Sequence, residues 1–358
     1  MERETRARVV LIGLIGLLGG LVAVTDVSTT LKYLWADPTL ILAPLDDSWH
    51  DRLYSPTYLT KLDGTYFLVD CWHNRVLYND VLDADIEAWD VLDDDLAGPH
   101  SIDSNGRVLM VEDTGRHKVH VYLADHDYPL VQTFEDVGER PHRVVYDEDT
   151  DAFFVIGSRS QTMSKFQDDG ERVHHVYTRE LPFLGQGYTR SFSIIDGKMV
   201  FVSGPGKVFV VRYHDDSYEV VESHPVHRRY HDVDVHPDYH AFNDIVRIED
   251  HYYVTITPEN KGQPSARDSV DNLLLRCDEL HDLSQGSCRD LSELFGLKGF
   301  PYYLSQVGET YYIPQVTAYS GVLEARLDSE EGLMPSGVVF DSGPPSRASL
   351  WQRHRLPK

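Results

Sequence analysis

The chain has 358 residues and a formal net charge of −25, with 58 acidic side chains against 33 basic ones. Its length is enough for one large core. Its acidic balance repels phosphate backbones and so excludes nucleic acid as a natural partner.

The N-terminus carries Arg3, Arg6 and Arg8, then an uncharged, mostly apolar run at 9–24 that Asp26 ends soon after. As a helix that run spans roughly 24 Å, a little under the roughly 30 Å hydrocarbon core. It reads as a signal anchor over 9–25, because no small-x-small cleavage site precedes Asp26. The basic flank places 1–8 in the cytoplasm and everything after the helix on the extracytoplasmic face of the membrane. Cleavage after this segment would instead make the protein secreted. Residues 26–54 form a lead-in, in which 39–43 reads as a strand that packs on or closes the ring that follows. Trp49 and His50 lie in a polar run with no assigned role.

From residue 55 the sequence repeats. A small or polar entry residue opens an alternating strand, a turn comes near six residues on, and a second apolar strand follows. Tyr58, His100, His142, Ser191, Asn243 and Tyr302 occupy the entry position of six such units, at steps of 42, 42, 49, 52 and 59 residues. Each unit holds candidates for third and fourth strands, such as 118–123 with 131–135, and 207–213 with 218–222. Four strands per roughly 40–50 residues mark a propeller blade. A lone four-stranded blade cannot bury both faces, so blades must stack about an axis. The expected fold is all-β: a six-bladed β-propeller over 55–341, with a tail at 342–358. A β-sandwich or solenoid of similar period is the rival.

In such a ring the innermost strands line the axis, and their starts face one mouth. Tyr58, His100, His142, Ser191, Asn243 and Tyr302 are therefore expected to converge, with Arg143, Arg190, His240 and Asp244 beside them. The first reading is a mouth that binds a small molecule, a glycan or a protein partner. The second is a metal-dependent lyase or hydrolase. There His100 and His142 hold zinc or calcium, completed by Asn243 or His240, and bound water drops toward a pKa of about 7. Tyr58 or Tyr302 would act as acid or base, and Arg190 would hold an anion.

Two segments carry a family likeness. Asp70-Cys71-Trp72-His73-Asn74-Arg75-Val76 and Asp113-Thr114-Gly115-Arg116-His117-Lys118-Val119 share an Asp, a turn holding His, then a basic residue and Val. Gly98-Pro99-His100 and Arg140-Pro141-His142 open blades in a similar way. The chain resembles the NHL-repeat propellers over blades one and two, less in blade three, where Gly157-Ser158-Arg159-Ser160 replaces the motif, and weakly beyond. The resemblance implies that the Asp and His tie the turn, so His73 and His117 are structural. It is distantly similar to the peptidylglycine lyases, which use blade-entry His with Tyr and Arg. Phe242-Asn243-Asp244-Ile245-Val246 is similar to a segment of gluconolactonase-like propellers. A third blade-entry His is missing from the lyase pattern unless His240 serves. The acidic residue that opens the first blade in the lactonase pattern is replaced by Tyr58.

Of three Cys residues, Cys277 and Cys288 close a small loop that a disulfide fits outside the cytoplasm, and Cys71 is left as a buried free thiol. No Cys pair has zinc-site spacing. The stretch 257–268 reads as a surface insertion in blade five. His224, His227, His231 and His236 crowd a solvated connection, and 291–295 reads as a short helix. The pairs Tyr252-Tyr253, Tyr302-Tyr303 and Tyr311-Tyr312 fit strands with one face in the core.

Overall fold

The computed structural model describes residues 51–343, except 186, 204–205, 215, 227–228, 231–232, 235–239, 259–272 and 317–318. The expected membrane segment at 9–25, the expected strand at 39–43, Trp49 and His50 lie outside the described residues. So do most of the 257–268 insertion, His227, His231 and His236, and nearly all of the C-terminal tail. Among the described residues, no helix is long and apolar enough to cross a membrane.

Six antiparallel sheets follow one another along the chain. Blade one is β1 (Pro56–Leu62), β2 (Thr65–Asp70), β3 (Arg75–Asn79) and β4 (Asp90–Asp93). Blade two is β5 (Ile102–Ser104), β6 (Val108–Asp113), β7 (Lys118–Leu123) and β8 (Leu130–Phe134). Blade three is β9 (Pro141–Asp147), β10 (Ala152–Gly157), β11 (Thr162–Asp168) and β12 (Val173–Glu180). Blade four is β13 (Ser191–Ile195), β14 (Lys198–Ser203), β15 (Lys207–His214) and β16 (Ser217–Pro225). A two-stranded ribbon, β17 (Arg229–Tyr230) with β18 (Val233–Asp234), precedes blade five. Blade five is β19 (His240–Ile248), β20 (His251–Pro258), β21 (Leu273–Cys277) and β22 (Arg289–Asp290). In blade six, β23 (Phe300–Pro301) and β24 (Ser305–Val307) both pair with β25 (Thr310–Val316), followed by β26 (Ser320–Asp328) and β27 (Gly332–Gly343).

The ring assembles because the second strand of a blade is apolar on both faces. Side chains alternate along a strand. On β2, Phe67 and Val69 pack toward blade two while Leu68 packs toward blade six. On β6, Leu109 and Val111 face blade one, while Val108 and Met110 face blade three. On β10, Phe153 and Val155 face blade two, while Phe154 and Ile156 face blade four. Apolar clusters thus fill each of the six seams between neighbouring blades.

Among the described residues, the last seam closes by the packing of blade one on blade six. Leu59, Leu68 and Trp89 pack on Tyr312, Val322 and Phe340. Ser305 Oγ donates to the carbonyl of Leu59, Ser320 Oγ to that of Tyr54, and Ser342 Oγ accepts from Leu53 N–H.

The turn between second and third strands explains the repeated Asp. Asp70 accepts from the backbone N–H of Tyr54 and Ser55, both at 2.9 Å, from His73 Nδ1 at 2.6 Å and from Arg75. Those partners hold its carboxyl well below the usual range despite full burial. Asp113 accepts from Ala97 N–H and Arg116. The turn ends in the left-handed region at Asn74, His117 and Gln161, with φ of 59°, 60° and 55°. The register therefore matches His73 with Arg116 and Asn74 with His117. His73 ties its Asp as expected. His117 instead accepts from Arg140 N–H at 2.9 Å.

Two smaller expectations change. Residues 291–295 form a turn rather than a helix, and the helix of this region is α1 (Asp282–Gln285). It lies in the loop closed by the Cys277–Cys288 disulfide, and Cys71 is the buried free thiol. Replacing Asp70 by Ala takes the carboxylate from a buried imidazole and guanidinium, so chemical denaturation should show a loss of about 3–5 kcal/mol.

Candidate functional site

The inner strands carry an irregularity that builds the site. On β1, Pro56 faces Asp70 and Tyr58 faces Val69, so Thr57 is extra. On β9, Pro141 faces Gly157 and Arg143 faces Ile156, with His142 extra. On β19, Phe242 faces Ile256 and Asp244 faces Thr255, with Asn243 extra. In blade six three residues, Tyr302 to Leu304, oppose two between the pairs Pro301–Gln315 and Ser305–Tyr312. A bulge of this kind re-aims side chains, and here two consecutive residues per blade serve the axis.

The result is two tiers. The tier nearest the entry mouth is Thr57, His100, His142, Arg190, Asn243 and Tyr302. The tier below is Tyr58, Ser101, Arg143, Ser191, Asp244 and Tyr303. Equal repeat positions cross the tiers: His100, His142, Asn243 and Tyr302 share the upper tier, whereas Tyr58 and Ser191 belong to the lower one. The bulge adds a residue that spacing along the chain does not reveal.

In the lower tier the Arg143 guanidinium lies 4.4 Å from the ring centroids of both Tyr58 and Tyr303. Asp244 accepts from Ser191 Oγ at 2.8 Å and from Leu304 N–H at 3.1 Å. Asp103 accepts from Tyr146 N–H at 2.7 Å. Burial pushes both carboxyls up to about 6, with Arg143 pulling each back down. Glu112 takes the backbone N–H of His100 and Ser101 at 2.6 and 2.8 Å, and burial raises it well above the carboxylate range. Burial likewise raises Tyr58, Tyr302 and Tyr303, so the phenols are protonated at neutral pH.

In the upper tier His100 and His142 stack, with centroids 3.7 Å apart and ring planes 25° from parallel. Tyr302 stacks on His100 at 5.8 Å. His142 Nδ1 meets Tyr303 Oη at 2.7 Å, and His142 Nε2 faces Tyr302 Oη at 3.4 Å. His100 Nδ1 meets Thr114 Oγ1 at 3.0 Å, and His100 Nε2 faces Cys71 Sγ at 3.5 Å. Burial, with Arg140 and Arg190 nearby, lowers both imidazoles well below their usual value, so both are neutral.

These donors do not suit one shared ion. Lone pairs lie in the ring planes, so stacked rings send them side by side rather than toward a common point. Asn243 Nδ2 donates to the carbonyl of Pro301 at 2.7 Å. The side chain of His240 lies outside the described residues. Among the described residues no group of three His, Cys, Asp or Glu is placed to hold a metal. The expected zinc or calcium centre is thus not assembled from His100, His142 and Asn243.

The rim of the mouth is cationic and aromatic. Arg140 Nε donates to Tyr188 Oη at 3.0 Å. The Arg190 guanidinium lies 5.1 Å from the same ring, whose edge meets His142 at 5.4 Å. Arg140 has φ 55° and stands where blade two has Gly98 at φ 70°. A non-glycine side chain there costs on the order of 1 kcal/mol, and it brings a guanidinium to the mouth. Tyr188, Arg140, Cys71 and Thr114 were missed as site residues. The parallel between Gly98-Pro99-His100 and Arg140-Pro141-His142 was the available signal. A cavity of about 620 Å³ beside Asp196, Arg247 and Glu249 lies away from this mouth.

No protein-family model matches the chain, and no curated protein matches it in sequence. Solved structures do resemble it. A Bacteroides uniformis protein assigned as a 6-phosphogluconolactonase has a TM-score of 0.54 at 13% identity, covering 80% of this chain and 86% of its own. A catalytically inactive Staphylococcus aureus virginiamycin B lyase, crystallised with quinupristin, has a TM-score of 0.53 at 11% identity, covering 84% and 89%. A streptogramin B lyase has a TM-score of 0.51 at 10% identity, covering 83% and 87%. The likeness is one of fold: this is an all-β, six-bladed β-propeller with lactonase-like and lyase-like structural neighbours. The NHL resemblance rests on its own residues in blades one and two.

The neutral imidazoles carry a pH signature. A folded pKa below the unfolded 6.5 contributes stability above about pH 6.5 that is lost as pH falls. Asp103 and Asp244, raised to about 6, act oppositely: their contribution is present at low pH and lost as pH rises through about 6. Comparing variants isolates the imidazole. In His142→Gln, the fall in unfolding free energy between pH 6.5 and 5 should be shallower by about 1.4 kcal/mol per pH unit.

Proposed function

We propose that this is an extracytoplasmic propeller, held at the membrane by its 9–25 segment, that binds a small molecule bearing an anionic group at its entry mouth. One observation carries this reading. In a chain of net charge −25, the guanidinium groups of Arg140 and Arg190 converge on the ring of Tyr188, beside neutral imidazoles and Tyr302. Guanidinium recognises carboxylate and phosphate through paired N–H donors, and the aromatic rings give a ligand's flat faces something to stack on. The hydrogen-bond partner of Arg140 is a phenol rather than a carboxylate, so its charge is not cancelled by an ion pair there.

The compartment is supported by the Cys277–Cys288 disulfide and the basic flank before 9–25. The lyase crystallised with quinupristin supports small-molecule binding by analogy of fold. The stacked imidazoles favour binding over a metal-dependent reaction.

Titration calorimetry on the purified propeller should find heat of binding for gluconate or glucose 6-phosphate and none for neutral glucose. Affinity should fall with added salt. Arg140→Ala with Arg190→Ala should weaken it by about tenfold or more. Equal binding of the neutral sugar, or an unaffected double variant, would sink the reading.

A further inference from the structure

The upper tier holds a set of groups that ligand binding alone does not use. Cys71 Sγ lies 3.5 Å from His100 Nε2, and His100 Nδ1 lies 3.0 Å from Thr114 Oγ1. Thr114 Oγ1 donates its proton to the carbonyl of Pro141 at 2.6 Å. Its oxygen is then left to accept, which fixes the proton of the neutral imidazole on Nδ1. Nε2 is therefore a bare lone pair, and it faces the thiol. A nucleophile, a base, and a third group that orients the base form the general pattern of covalent catalysis.

The surroundings agree with that role. Cys71 follows Asp70 at the turn after β2, and the Asp70 network fixes that turn. Gly98 lies beside the thiol, where an added Cβ would sit 3.7 Å from the sulfur. Arg140 is close enough for its charge to couple to Cys71. Cys277 and Cys288 are bonded to each other, so Cys71 is the cysteine that the disulfide leaves out.

We propose that Cys71 is a nucleophile activated by His100, and that the mouth performs acyl transfer on a small ester or lactone bearing an anionic group. The S–H proton passes to His100 Nε2 as sulfur attacks the carbonyl carbon. The new C–S bond forms, the C–O bond breaks, and the leaving oxygen takes the proton from the imidazolium. Water then attacks the thioester, its proton passing through His100, and the carboxylic acid and free thiol are released. Cys71 is only 2% exposed, which limits the electrophile to a small one delivered from the mouth. Thr114 is a positioning residue.

The substrate's anionic group rests on the binding role proposed for Arg140 and Arg190, whereas the thiol chemistry does not, and labelling separates the two. Folded protein at pH 7 is treated with iodoacetamide or iodoacetate, and alkylation of Cys71 is followed by mass spectrometry beside glutathione as a reference thiol. Cys71 should react about tenfold faster than glutathione. His100→Gln should slow it about 100-fold. Thr114→Val should slow it as well, with Thr114→Ser restoring the rate. Arg140→Ala should slow iodoacetate more than iodoacetamide, because the guanidinium both attracts the anion and couples to the thiol. Thermal unfolding of each variant confirms that it folds. With p-nitrophenyl acetate, an acetyl adduct should appear on Cys71. A thiol that labels only on unfolding, or a folded His100→Gln or Thr114→Val that reacts at the parent rate, overturns the proposal. An iodoacetate rate unmoved by Arg140→Ala removes the anionic requirement while leaving the nucleophile.

Discussion

A strand that is apolar on both faces cannot stay in a sheet with one face in water. β2, β6 and β10 are such strands. Each alternates its side chains between two neighbours, so blade one needs both blade two and blade six. Burial of this kind contributes roughly 25 cal/mol per Å² of apolar surface. It is available in full only when the ring closes. Every seam depends on that closure, including the one between blades six and one, which among the described residues is held by packing and a few serine hydroxyls.

Closure brings the six inner strands together, and the bulges of β1, β9 and β19, with the offset in blade six, decide much of what meets there. Two consecutive residues per blade reach the axis, giving a polar plug rather than an open pore. The lower tier buries Arg143 beside Asp244, with the half-buried Asp103 nearby. Glu112, set beside them, takes backbone N–H groups rather than a cation. Such groups persist because hydrogen bonds and aromatic faces offset their desolvation. The upper tier is different in kind. Its imidazoles are neutral, its rim is cationic, and its thiol is paired with a base. The two tiers thus divide support from chemistry across a single residue step.

The turn after the second strand links fold to site. Asp70 and Asp113 gather backbone donors from the preceding blade entry, which fixes where the turn sits. The next residue in each case, Cys71 or Thr114, then meets His100. A motif read as structural proves to be the scaffold that positions reactive groups.

Much of this was legible beforehand. Alternation and turn residues are local properties, so the number of blades and the approximate place of their first two strands followed from the chain alone, with β7 read residue for residue. The approach of His100 to His142 also followed, because equal repeats put equal positions near one axis. A bulge is not local in that sense: it appears only when two strands are paired, so the offset of Tyr58 to the lower tier, set by the extra Thr57, was hidden. The orientation of the imidazoles was hidden too. Spacing allowed them to converge on an ion, but stacking, Thr114 and Tyr303 turn their nitrogens elsewhere. The linear order of residues thus determined the ring and its membership. Only packing in three dimensions decided which way each side chain faces, because that choice belongs to neighbours far apart in the chain.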